Sequence, residues 1–179
     1  MPTGASFGGK RNPSVLEHIR SAEGWYYEFE LEGYKTLVAR PEHAVRHRMR
    51  RQYLMEPVLE LWGGSLRGRR VLDLGCNEGY FSLAALQADA AFVLGLDPQA
   101  DRLQRAGWVF QACRIDPDRY ELCYGDVDTL RPEEGRFDVV LLLGLLHWLP
   151  AAQAIRLLHT LSQMQAELLV VDTVVCAER

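Results

Sequence analysis

Cysteine is sparse in this chain. The four present, Cys76, Cys113, Cys123 and Cys176, never fall in the C-x-x-C spacing of a zinc or dithiol site. Three of them lie in or just after apolar runs, where free cysteine behaves as a small buried hydrophobe, so no metal is expected. Long apolar runs are lacking too: none approaches the roughly 18–20 residues of a membrane span, and residues 1–10 hold no signal-peptide core. The expectation is a cytoplasmic protein without a membrane partner. Excess charge of one sign is also missing, since 20 basic against 24 acidic residues leave −4. Nothing global therefore recommends nucleic acid or an acidic surface. No internal repeat or low-complexity segment occurs. What remains, 179 residues that are 48% hydrophobic and 25% charged, is the composition of one globular domain with a sizeable core.

Residues 1–13, rich in Gly, Pro, Ser and basic residues, read as a disordered tail. An extension over 14–64 follows. Ser14 caps a short helix to about Glu23, with Val15, Leu16 and Ile19 inward. Aromatic alternation from Trp25 to Leu31 predicts a strand, turned at Glu32-Gly33 toward a second extended piece over Lys35 to Ala39. A helix from Pro41 to about Trp62 carries Val45, Met49 and Tyr53 at four-residue spacing, with Pro57 breaking or restarting it. Over 65–179 the type alternates: strand Arg70–Leu74, helix Tyr80–Ala88, strand Ala91–Leu96, helix Pro98–Cys113, strands Tyr120–Tyr124 and Phe137–Leu143, helix Pro150–Met164, strand Glu167–Val175. Apolar strands alternating with helices predict an α/β fold with a doubly wound, mainly parallel Rossmann-like sheet.

The chemistry concentrates in Val71-Leu72-Asp73-Leu74-Gly75-Cys76-Asn77-Glu78-Gly79-Tyr80-Phe81, a buried strand running through a glycine turn into a helix. In such a sheet this turn lies at the carboxyl edge, where ligands bind at the switch in strand order. Gly75 and Gly79 let backbone approach a ligand, and Asn77 tolerates a left-handed conformation. The second strand ends in Asp97-Pro98, 24 residues beyond Asp73, where an acid can accept hydrogen bonds from both ribose hydroxyls. Asp126 can bond an adenine amino group while the Val127 amide meets a ring nitrogen; a simple turn aspartate is the plainer alternative. A dinucleotide would need the second glycine of its fingerprint where Asn77 stands and would find Glu78 opposite its diphosphate. S-adenosylmethionine carries no phosphate, and Asp73 can attract its ammonium group. That cofactor is therefore expected.

Together, Val-Leu-Asp-Leu-Gly-Cys-Asn-Glu-Gly, Gly95-Leu96-Asp97-Pro98 and Gly125-Asp126-Val127 resemble the class I S-adenosylmethionine-dependent methyltransferases, over about Arg69 to Val175. The resemblance implies a cofactor site of Asp73, Gly75, Cys76, Asn77, Gly79, Asp97, Pro98, Asp126, Val127 and Leu143. Phe137 to Trp148, Glu167 to Thr173 and the aromatic segment Trp25–Leu31 are similar, more distantly, to the subgroup of the tRNA wobble-uridine carboxymethyltransferase. That subgroup has tyrosine-histidine where this chain has His147-Trp148, and its Trp-Arg-Lys-Gly-Pro segment has no counterpart here. Plain methyl transfer to a small-molecule acceptor is the preferred expectation. A tRNA-modifying relative and a non-catalytic cofactor-binding or partner module are the alternatives.

His147, just past the fourth strand of the domain, is the candidate catalytic base, its ordinary pKa of about 6.5 suiting proton removal at neutral pH; packing beside Trp148 is the alternative. Asp172-Thr173 approach the same edge. Tyr53 is expected in the core or over the cofactor. The arginines of 40–51 form no single stripe, Arg46 and Arg50 sharing one face and Arg48 and Arg51 another, so a solvated helix face is expected rather than an RNA surface, with binding of an anionic substrate the alternative. The family's sheet ends in an antiparallel pair that this chain has no residues to build. The last strand is then an exposed apolar edge, from which either a truncated polypeptide or a homodimer is expected.

Overall fold

A computed structural model describes residues 13–131 and 136–174. Apart from Pro13, which opens the first helix, the expected tail lies outside the described residues. The elements run α1 (Pro13–Ser21), β1 (Glu30–Leu31), β2 (Tyr34–Lys35), α2 (Pro41–Glu60), β3 (Arg70–Leu74), α3 (Tyr80–Gln87), β4 (Phe92–Asp97), α4 (Ala100–Ala112), β5 (Tyr120–Tyr124), β6 (Val139–Leu143), α5 (Ala151–Gln163) and β7 (Leu168–Asp172). Short 3₁₀ turns occupy Pro117–Arg119, Val127–Thr129 and Leu146–Trp148.

Five strands form one sheet in the order β5-β4-β3-β6-β7, and every pairing is parallel. The chain leaves β3 for β4 and β5 on one side, then returns to lay β6 and β7 on the other. Strand order thus reverses beside β3, the position at which a crevice opens at the carboxyl ends. Alternate residues of β3 serve opposite faces: Val71 packs with α1, α3 and α4, while Leu72 and Leu74 pack with Leu157 and Leu161 of α5. β3 and β6 are buried throughout except Arg70, as central strands covered on both faces must be. The outer strands are half-exposed. In β7, Leu169 and Val171 are exposed, and among the described residues β6 is its partner.

The extension departs from expectation in three places. The strand foreseen over Trp25–Leu31 shrinks to Glu30–Leu31, with a single bridge from Trp25 to Val38. The N–H groups of Tyr26 and Tyr27 point instead at a carboxylate of the main domain. Pro57 does not break α2. Pro57 is exposed, and the carbonyl it deprives of a donor belongs to exposed Tyr53, where water can replace the lost bond. The Val45-Met49-Tyr53 stripe faces outward, and Tyr53 is 68% exposed, neither core nor cover. The buried stripe is Ala44, His47, Met55 and Val58. Their spacings of three, eight and three stay close to one face of a 3.6-residue turn, whereas repeated steps of four drift off any one face.

Candidate functional site

At the ends of β3, β4 and β6 lies an open cavity of about 430 Å³. The loop after β3 forms its floor. Gly75 and Asn77 hold φ of +72° and +53°, left-handed values that a β-carbon ordinarily opposes. The Gly75 and Cys76 N–H groups donate to the Leu96 carbonyl at 2.8 and 3.1 Å, tying this loop to β4. The Asn77 N–H donates to Asp97 Oδ2 at 2.8 Å, and the Gln99 N–H to Asp97 Oδ1 at 2.9 Å. Each carboxylate oxygen therefore keeps a lone pair for a further donor. Burial raises the Asp97 pKa.

Of the residues expected from sequence, Gly75, Asn77, Asp97, Pro98, Asp126, Val127 and Leu143 line this cavity. Asp126 also caps the following 3₁₀ turn, its Oδ1 accepting from the Asp128 N–H and from Gln153. The cap and the cavity wall are the same residue, so the two readings of it do not compete.

Three expected residues stand behind the wall. Asp73 is buried and accepts from Ser82 Oγ at 2.6 Å. Burial lifts its pKa to about 6. Cys76 is buried, and a β-carbon on Gly95 would come within 2.9 Å of its Sγ, so the thiol fills space between strands. Burial pushes that thiol's pKa well up. Gly79 adopts φ +73°, and a β-carbon there would lie 2.8 Å from Phe110 Cζ and 3.0 Å from Ala106 Cβ. This second glycine gives α4 close access to the start of α3, and the close approach expected of it is to a helix.

Glu78 is the larger surprise. Its carboxylate, expected to oppose any diphosphate, faces away from the cavity and is fully buried. It accepts from the Tyr26 and Tyr27 N–H groups at 3.0 and 2.9 Å and is paired with Arg102 and Arg105. The case against a dinucleotide thus rests on Asn77 standing at the second glycine position, without Glu78.

The far wall is built by residues the sequence did not single out for a ligand: Tyr26, Tyr27, Arg50 and Trp148. Arg50 does not belong to a solvated face. It is half-buried and makes a two-point pair with Asp172, Nε to Oδ2 being 2.9 Å and Nη2 closer. Arg48 pairs with Glu28 and Arg51 bonds Gln87 while lying over the Tyr80 ring, so these arginines are occupied within the chain. Behind Tyr26 and Tyr27 stands His47, buried, with neither ring nitrogen bonded among the described residues. Burial, then Arg50, lowers its pKa to about 4, which keeps it neutral. Tyr27, stacked on Tyr80 at 4.7 Å, has its pKa raised by burial. His147, the expected base, is not among the residues that line the cavity: it is exposed beside the lining residue Trp148, its ring 5.2 Å from that of Trp148 and its Nδ1 3.3 Å from Thr173 Oγ1. Among the described residues no His, Cys, Asp and Glu group could hold a metal ion, and no helix is long and apolar enough to cross a membrane.

A parallel sheet with this strand order, a left-handed turn after β3 and an acid ending β4 define a nucleoside-cofactor fold of the class I methyltransferase type. Comparison with known proteins agrees: residues 71–167, more than half the chain, match the methyltransferase domain family model, and the chain belongs to that family. S-adenosylmethionine is the cofactor of this family. The tRNA U34 carboxymethyltransferase of Geobacter sp. (strain M21) is 38% identical over 82 residues, 46% of this chain and 25% of that protein. The ubiquinone biosynthesis O-methyltransferase of Neisseria meningitidis serogroup C (strain 053442) is 33% identical over 90 residues, 50% of this chain and 37% of that protein. The chain spans about a quarter of the length of the first of these relatives. Among solved structures, the N-terminal domain of EvdMO1 with SAH (S-adenosylhomocysteine) bound superposes with a TM-score of 0.63 at 28% identity, covering 82% of this chain and 58% of that one. The same domain in the presence of SAH and D-fucose gives 0.58 at 28% identity, over 82% and 57%.

Proposed function

We propose that this chain transfers a methyl group from S-adenosylmethionine to a small, hydroxylated acceptor. The observation that carries the reading is one cavity with two kinds of lining. Asp97, Asp126 and the Val127 amide suit ribose and adenine. Tyr26, Tyr27, Arg50 and Trp148 remain for the cofactor's amino-acid group and the acceptor. The left-handed Gly75-Asn77 turn brings backbone close to the ligand, and about 430 Å³ is within the usual range of small-ligand sites.

When bound, the cofactor supplies a methyl already activated on sulfonium, so the protein's work is orientation in a desolvated site. Asp97 holds the ribose hydroxyls through the lone pairs left beside the Asn77 and Gln99 N–H groups. Asp73, one layer deeper, supplies negative potential toward the ammonium group. Arg50, fixed by Asp172, offers its remaining N–H groups to the carboxylate of the amino-acid end. Transfer to an acceptor oxygen would leave the carbon–sulfur electron pair on sulfur and release the acceptor's proton, and the chain's part would be to take that proton. His147 is the base in this reading. Donation from Nδ1 to Thr173 would leave Nε2 as the basic nitrogen.

The small-acceptor reading draws on the likeness to EvdMO1, whose N-terminal domain was crystallised in the presence of D-fucose. The match to tRNA U34 carboxymethyltransferases favours a second reading, an RNA acceptor. Against it, Arg48, Arg50 and Arg51 are engaged inside the chain rather than set in a basic stripe. Titration calorimetry with SAH on wild type and Asp97→Ala tests the cofactor site. Methyl release against free sugars and against bulk tRNA then separates the acceptors: turnover on tRNA alone, lost with rising salt, would overturn the small-acceptor reading. The exposed Leu169 and Val171 of β7, whose sheet partner among the described residues is β6, lead us to propose self-association as well.

A further inference from the structure

We infer that Glu78 is a positioning residue: it holds the aromatic segment of the extension over the cofactor cavity by binding the Tyr26 and Tyr27 backbone from the cofactor loop itself. This inference rests on the cofactor site proposed above.

The residues around Tyr26 and Tyr27 have little regular structure to hold them. Trp25 is tied to the second arm of the hairpin by the Ala39 N–H, Phe29 by exchange with Thr36, and the Tyr27 carbonyl by the Thr36 hydroxyl at 3.0 Å. Between these ties, the N–H groups of Tyr26 and Tyr27 go to Glu78, across 52 and 51 residues of sequence. Glu78 is itself immobilised. Its N–H donates to Asn77 Oδ1 at 2.8 Å, Asn77 N–H holds Asp97, and Gly79 begins α3. On its other side Arg102 and Arg105 of α4 neutralise it. The residue that lies between the two cavity-floor positions and the helix therefore also sets where two cavity-wall aromatics stand.

A fully buried carboxylate is costly to keep unless every lone pair is used. Here two backbone N–H groups and two guanidinium groups use it. Deleting it strands the two backbone donors, because the partly exposed guanidinium groups of Arg102 and Arg105 can turn to water whereas the Tyr26 and Tyr27 amides regain a partner only if their segment lifts. Glutamine keeps an oxygen for the backbone donors but loses the charge the arginines require, so it should restore part of the function that alanine removes.

The test reads cofactor affinity and backbone protection separately. In Glu78→Ala, SAH affinity measured by calorimetry is expected to fall about tenfold or more, with Glu78→Gln intermediate, since hydrogen bonds to charged groups are the stronger class. Placed on a Tyr26→Ala, Tyr27→Ala background, Glu78→Gln is expected to cost less than about threefold, because the groups it positions are gone. Hydrogen exchange supplies the readout independent of ligand: the Tyr26 and Tyr27 amides should lose protection in Glu78→Gln while amides of β3 and β6 keep theirs. Folded variants with wild-type SAH affinity, or effects that multiply fully with the tyrosine substitutions, would overturn the inference. Should Glu78→Ala not fold, Glu78→Gln carries both measurements. Should wild type not bind SAH at all, the proposed function fails, while exchange at Tyr26 and Tyr27 still decides whether Glu78 holds the segment.

Discussion

Asp73 pays for its position, and the cost can be measured. Its carboxyl sits under the cavity floor at 2% exposure, and burial raises its pKa from 3.8 to about 6 despite a 2.6 Å hydrogen bond from Ser82. Because the folded state binds this proton more tightly than the unfolded one, the group contributes most to stability below pH 3.8, and the contribution is lost as pH rises toward and through about 6. At about 1.4 kcal/mol per unit, the rise amounts to about 3 kcal/mol. In Asp73→Asn the side chain is neutral throughout, with an oxygen for backbone donors and an amide for Ser82 Oγ. Urea unfolding without ligand should then show the two proteins equal near pH 4 and the variant more stable by about 2–3 kcal/mol near pH 8. In a chain of this size that corresponds to roughly 4–12 °C in Tm. The same variant should bind SAH more weakly, having lost the negative potential opposite the ammonium group. A stability difference that stays flat from about pH 4 to about pH 8, or a variant less stable at the alkaline end, would refute the burial argument.

Gly79→Ala should cost about 2–5 kcal/mol in urea unfolding, combining a left-handed alanine with a clash against Phe110; a loss under about 1 kcal/mol would mean that α4 can shift away from it. His147→Ala should lower kcat about 100-fold while leaving SAH affinity unchanged, as removal of a general base does; unchanged kcat would leave His147 a surface residue bonded to Thr173. Self-association through β7 predicts a wild-type dimer by light scattering and a monomer for Val171→Lys, which sets like charges across the joined edge. A monomeric wild type would end that proposal.

The sheet and the left-handed turn that floors the cavity were legible because both are written locally. β3, β6 and the turn between Gly75 and Gly79 are each a short unbroken stretch, the two strands are buried almost throughout, and the conformational demand of the turn shows in its residue types. The extension was less legible for an equally physical reason. Tyr26 and Tyr27 carry a strand's aromatic pattern, yet their N–H groups find a better acceptor in Glu78, a charge that neutral hairpin carbonyls cannot match. Arg50 reads as one of five arginines near a helix start, and only the return of β7, 122 residues later, sets Asp172 beside it. In α2, spacing by four picked the wrong stripe, because the inward residues include a histidine and an alanine that hydrophobic periodicity weights lightly.

These long-range ties bear on where the functional unit begins. Ile19 and Trp25 are wholly buried, and they belong to the same core as Val71, Phe110 and Val139. His18 stacks on Trp108 at 5.1 Å, and Arg105 lies over the Trp25 ring while pairing with Glu78. A polypeptide starting at residue 65 would keep every residue of the glycine turn yet expose that core face, strand the Glu78 carboxylate and lose Tyr26, Tyr27 and Arg50 from the cavity wall. The recognisable motif and the extension before it therefore build one cavity, to which β4 and the loop after β3 contribute Gly75, Asn77 and Asp97, and α2 with the Trp25–Phe29 segment contributes Arg50, Tyr26 and Tyr27.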